Sequence, residues 1–141
     1  MMPRLMVGLV CALPSLLWAS CDLTVNHLSF SGYDVFQPQH NDSVGQLQVY
    51  CDEAQPYTVK LSSGQGSYTR RELGSARYRL GYNVYTQANY ATVWGDGSAN
   101  STVHSGNHIG QQRYYIYGRI FARQNVGIGS YQDTLIVTLE Y

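Results

Sequence analysis

An all-β fold, an antiparallel sandwich of short strands, is what this sequence predicts, and three observations carry the prediction. Apolar residues recur with period two rather than 3.6 along most of the chain. Composition is that of strands and turns, with 13 Tyr and 14 Gly against a single lysine, Lys60, and little of the Ala/Glu/Lys/Leu mixture of helices. Clusters of Gly, Ser, Asn, Asp and Pro punctuate the chain at short intervals, as turns between strands do. At 141 residues the chain holds one domain's worth of sequence.

The elements follow in order. Leu23 to Phe30 reads as a first strand. Leu47, Val49 and Cys51 alternate with Gln46, Gln48 and Tyr50, and after a turn over 52–56 the residues Tyr57, Val59 and Leu61 alternate with Thr58, Lys60 and Ser62. The stretch 62–67 (Ser-Ser-Gly-Gln-Gly-Ser) is a loop by composition, and strand patterning resumes over 68–73 and 78–85. Residues 95–110 are polar and dotted with glycine, which predicts a long loop or ragged edge strands before a strand over 114–122. Last comes 134–141, where Leu135, Val137, Leu139 and Tyr141 alternate against Thr134, Ile136, Thr138 and Glu140. No segment reads as an amphipathic helix.

Residues 1–20 follow different rules. Arg4 supplies a positive start, Leu5 to Leu17 an apolar run too short to span a bilayer, and Trp18-Ala19-Ser20 a cleavage region near Ser20/Cys21, although Trp18 is a poor match to the usual small residue. A signal peptide over 1–20, removed on export, leaves the domain as 21–141. Cys11 leaves with the peptide, so Cys21 and Cys51 form an even pair, and a disulfide between them is the natural reading in an oxidising compartment. Lipid attachment at Cys21 is the rival, disfavoured because it would strand Cys51 as an odd thiol.

Several functions are excluded or thinly supported. Nine basic and nine acidic residues leave no excess charge for nucleic acid or an anionic membrane surface. His27 and His40 are isolated, and His104 and His108 are separated by Ser-Gly-Asn, a loop composition, so no metal site and no cofactor is expected. Gly64-Gln65-Gly66 has no helix after it to cradle a phosphate, and no serine sits in a nucleophile-elbow context, so no enzyme is expected. Arg70, Arg71, Arg77 and Arg79 read as a solvated strand surface. Tyr90, Trp94, Tyr114 and Tyr115 are candidates for contact with a surface or glycan, against the plainer reading of sandwich packing.

The strand over 134–141 runs to the last residue, which leaves no chain to cover an apolar-faced edge. Either it is an ordinary core strand or another polypeptide completes the sheet. The motifs bearing on this choice are Cys21, Phe30-Ser31-Gly32-Tyr33, Val49-Tyr50-Cys51, Tyr57 through Gly64, Leu80 through Tyr85, Trp94-Gly95-Asp96-Gly97, Tyr117-Gly118-Arg119-Ile120, Val126 through Thr134, and Val137 through Tyr141. In this order they resemble the spore coat protein U family, whose wider membership includes subunits of archaic chaperone-usher pili.

The resemblance implies an incomplete immunoglobulin-like antiparallel β-sandwich completed by a donated strand. It further implies a non-enzymatic subunit of a bacterial surface fibre or coat, with a periplasmic chaperone, an outer-membrane usher and neighbouring pilus subunits as partners. Leu135, Val137, Leu139 and Tyr141 would then line the strand-acceptor groove and the chaperone contact. Polymerising members carry a donor segment ahead of the first cysteine, and cleavage near Ser20 would leave none, so a terminal or minor subunit is expected. The alternative is a stand-alone periplasmic or surface binding module on the same sandwich.

Overall fold

The structure is a computed structural model that describes residues 5–12 and 20–141. Eight strands carry the chain: β1 (Leu5–Ala12), β2 (Cys21–Asn26), β3 (Leu28–Phe30), β4 (Asn41–Leu61), β5 (Arg71–Gly74), β6 (Arg79–Tyr85), β7 (His104–Ile120) and β8 (Tyr131–Glu140). The described residues contain no helix. All-β structure with mostly antiparallel pairing is therefore as expected. All eight strands belong to one sheet in the order β2-β4-β7-β6-β5-β8-β1-β3, and a further β4–β8 pairing bends that sheet back on itself like a barrel.

β4 makes the closure. Its first part pairs with β2 and β7, and its last four residues, Thr58 to Leu61, pair with Glu140 to Val137 of β8. The turn expected over 52–56 is instead a bulge, with the β7 register shifting between Cys51 and Gln55. Extra residues on one strand bend it and increase its twist, which lets one continuous strand serve both ends of the closed sheet. Pro56 lies beside the bulge, where a missing N–H is tolerated. Ser20 pins the bulge: its N–H and hydroxyl both donate to the Asp52 carboxylate, at 3.1 and 2.9 Å. Cys21 is paired with Cys51 across β2 and β4, and the two form a disulfide.

Two other boundaries shift. The polar stretch 104–110, expected as part of a long loop or of ragged edge strands, is the start of β7 and pairs with β4 beyond the bulge. Backbone pairing with a committed neighbour overrides the weak strand preference of Ser, Gly and Asn. Of the expected strand over 68–73, only residues 71–73 are extended in the sheet, and the strand ends one residue later at Gly74.

The core is built from the inward positions of every strand, with Leu47, Val49, Val59, Leu61, Leu80, Val84, Ile116 and Ile120 among its fully buried members. Trp94 is fully buried and its indole N–H donates to the Val59 carbonyl at 3.0 Å. Arg71 is fully buried too, which corrects the expectation of a solvated arginine surface at that position. Its guanidinium donates to the carbonyls of Ser62 and Trp94 and to Asn83 Oδ1, at 2.7 to 3.0 Å. Every partner is an uncharged oxygen, and burial pulls the guanidinium pKa below its ordinary value.

Candidate functional site

β8 is the strand on which the functional question turns. Leu135, Val137 and Leu139 are fully buried, whereas Ile136 on the opposite face is 47% exposed. The alternation read from sequence therefore has the phase that puts the apolar set inside. Tyr141 lies past the end of the strand, half-buried and packed against the core. Along one side β8 meets β4, and the ladder continues beyond it: Ser62 N–H donates to the Ile136 carbonyl, and Ile136 N–H to Ser62 Oγ.

The start of β8 is fixed by a buried carboxylate. Asp133 accepts hydrogen bonds from the Tyr82 hydroxyl at 2.6 Å and from the backbone N–H groups of Gln65 and Thr134 at 3.0 and 2.9 Å. Burial, with Asp133 beside it, holds the Tyr82 hydroxyl well above its usual pKa. The 62–67 loop presses so closely here that a Cβ at Gly64, where φ is +62°, would lie 2.2 Å from the Asp133 carboxylate. Glycine is required on both counts.

The other side of β8 is covered by the chain's own residues 5–12. β1 runs parallel to β8 in unbroken register, from Leu5 opposite Tyr131 to Ala12 opposite Thr138. Its other edge pairs with β3, Leu5 with Phe30 and Val7 with Leu28. Leu5, Val7 and Leu9 point into the core, while Met6 and Val10 are 44% and 51% exposed. Residues 5–12, expected to stand outside the fold, thus fill a strand position between β3 and β8 in the full-length chain. Residues 18 and 19 of the expected cleavage region lie outside the described residues.

The four aromatic candidates do not form one surface. Trp94 is enclosed in the core and offers no face to a ligand, which removes it from that role. Tyr114 faces inward, half-buried beside the His104 ring, and its hydroxyl hydrogen-bonds that of Tyr57. Tyr115 is 45% exposed on the opposite face of β7, next to Tyr117. Tyr90, half-buried, packs on Tyr117 and Tyr85 and carries the Arg119 guanidinium over its ring at 3.7 Å.

The histidines give no catalytic arrangement. His104 packs edge-on against Trp94, and burial lowers its pKa. His108 Nε2 lies 2.8 Å from the Tyr57 hydroxyl, and both burial and the Tyr114 hydroxyl raise the Tyr57 pKa. Among the described residues no three His, Cys, Asp or Glu side chains converge on a point where a metal ion would sit.

The strand character of β8 was legible in the sequence, and that of β1 was not. A continuous apolar run of eight residues has no periodicity with which to separate a buried strand from the apolar region of a signal peptide.

The sequence pattern of the Spore Coat Protein U domain family matches residues 7–138, and the chain belongs to that family. The match begins inside β1. No curated protein matches the chain by sequence. Among solved structures, the chain is similar to one in the crystal structure of the CsuC–CsuE chaperone–tip adhesion subunit pre-assembly complex from archaic chaperone-usher Csu pili of Acinetobacter baumannii, with a TM-score of 0.63 and 23% identity. The likeness covers 89% of this chain and 40% of that one, so this chain spans less than half of the protein it resembles.

Proposed function

We propose that this member of the Spore Coat Protein U domain family is a non-enzymatic structural subunit of a bacterial surface fibre or coat. It passes through the periplasm with a chaperone, is handed to an outer-membrane usher, and joins its neighbours by donor-strand complementation. The observation that carries this reading is the strand position between β3 and β8, which is filled by a segment connected to the rest of the domain only through residues 13–20. In the processed chain, a strand from a partner takes that position, adding main-chain hydrogen bonds along β8 and seating alternate apolar side chains over Leu135, Val137 and Leu139. On this reading the processed domain is an incomplete immunoglobulin-like sandwich. With processing near Cys21 it accepts a strand without donating one, which suits a terminal or minor subunit. Tyr115 on the exposed sheet face is the aromatic best placed for surface contact.

The test is export of a tagged chain in cells carrying an archaic chaperone-usher system, with and without its chaperone. The expected result is a stable one-to-one complex with the chaperone, and degradation in its absence. Accumulation of a folded free monomer in both strains would overturn the proposal.

A further inference from the structure

We infer that residues 5–12 close the strand-acceptor site in the uncleaved chain, so that the precursor is self-complemented and removal of its leader is the step that opens the site. This rests on the acceptor reading above and adds that the site's first occupant is the chain's own leader.

The geometry is that of an inserted strand, not of an edge segment lying against the surface. β1 is paired on both sides, to β8 over its whole length and to β3 over its first three residues. Leu5, Val7 and Leu9 are 3%, 0% and 7% exposed, and they meet a core that includes the fully buried Leu28 and Leu135. Taking β1 away would uncover those side chains and free the facing edges of β3 and β8 together, which exposes apolar area and unpaired backbone groups at once. Nothing about an apolar leader demands this placement. A leader read only by the export machinery needs hydrophobicity, whereas this one also puts alternate side chains in phase with the core.

Covalent linkage is what makes the occupant exclusive. A strand tethered through a short linker stands at an effective concentration in the millimolar range, so a donor strand at micromolar concentration cannot compete for the same position. A cut between residues 13 and 19 leaves the pairing intact for the moment but removes the tether. The strand then dissociates by ordinary mass action and the site passes to whichever donor is present.

The experiment uses the full-length chain, oxidatively refolded without export, carrying a protease site within residues 13–19. The probe is a fluorescent synthetic peptide of residues 4–13. The intact chain should take up little peptide, and cutting at the inserted site should raise uptake at least tenfold, about the loss expected from a millimolar tether. Leu9→Asp should let the intact chain take up peptide, while the outward Met6→Asp should not.

Register is read separately, on the intact chain with Cys11→Ser. Val10→Cys with Ile136→Cys, directly opposite on the exposed face, should cross-link. Val10→Cys with Gln132→Cys should not, because four residues along a strand is about 13 Å, beyond disulfide reach. Equal uptake before and after cutting would overturn the inference and leave the acceptor site standing. No uptake by either form, with cutting leaving the melting temperature unchanged, would overturn the acceptor site as well. Should the cut chain unfold, cross-linking no faster in register than out of register would still overturn the inference.

Discussion

The two sides of β8 are bound on unlike terms. On one side its neighbour is β4, antiparallel, continuous with the disulfide-bonded β2–β4 pair and tied to β8 by the Ser62 bonds and the Lys60–Glu140 ion pair at 2.9 Å. On the other side the neighbour is β1, parallel and held to the body by local pairing and the linker after it. Both sides bury apolar side chains in one core, so area alone does not distinguish them. The difference lies in the cross-links: the β4 side is secured by the disulfide, the Ser62 bonds and the ion pair, none of which involves residues 5–12. A sheet built this way can exchange one strand without unravelling.

The largest effect is expected from a charge on β8 itself. Val137→Asp places a carboxylate at a fully buried site shared by both sides, and should cost about 4 kcal/mol, most of the stability of a domain at the low end of the usual range of about 5 to 15 kcal/mol. Ile136→Asp, one residue away on the exposed face, should stay within about 1 kcal/mol. Denaturant midpoints of the two variants check the register directly, since a one-residue slip would exchange their effects.

Next in size is the arginine buried against the β4 side. Arg71→Met takes the guanidinium from the carbonyls of Ser62 and Trp94 and leaves the amide oxygen of Asn83 with only the Val84 N–H, and a loss of about 3 kcal/mol is expected. Arg70 donates from the surface to Gln124, and Arg70→Met should cost less than about 1 kcal/mol. Because Ser62 also holds β8, the Arg71 loss should appear equally in full-length and processed chains. Thermal unfolding of both forms would show it, and dependence on the leader would mean that the β4 side is not independent of the β1 side.

The disulfide ranks just below. Cys51→Ser opens a loop of about 30 residues and should cost roughly 3 kcal/mol by chain-entropy reasoning, less any compensating relaxation. Reduction of the unmutated protein should reproduce the shift in midpoint, and the variant should then be insensitive to reductant.

Much of this was written in the sequence, and the failures have physical causes. The alternation of 134–141 marked β8 as a strand with one apolar face, the structure adds that Leu135, Val137 and Leu139 point into the core, and the even cysteine count gave the disulfide. Arg71 was legible in part, since it shares parity with the buried Leu73, but a pair of adjacent arginines reads as surface until the oxygens that surround one of them are known. Trp94 sits in a glycine- and aspartate-rich turn, and only the tertiary fold shows that the turn folds inward over Val59. For β8 and its parallel neighbour the split is cleaner. β8 shows a period, whereas β1 is apolar at every position and shows none.

The smallest expected effect is an acid sensitivity on the β4 side. His104 pairs with Val59 across β7 and β4, and its ring packs between Trp94 and Tyr114. Burial lowers its pKa, and a hydrogen bond involving the Thr86 backbone opposes that only in part. The folded chain therefore binds this proton less readily than the unfolded chain, whose value lies near 6.5. The contribution of neutral His104 is complete above that value and is lost as pH falls through it, levelling off once the folded-state pKa is passed. The carboxylates held low by local hydrogen bonds, Asp52 and Asp96, begin to lose theirs only near pH 4, so the two windows separate. Denaturant midpoints should fall between pH 7.5 and 5 in the unmutated chain and fall less in His104→Gln. Because β1 contributes no titratable side chain to this cluster, the difference between the two proteins should be the same in full-length and processed chains; a difference that vanished on cutting would place His104 under the control of the leader and make the two sides of β8 one unit.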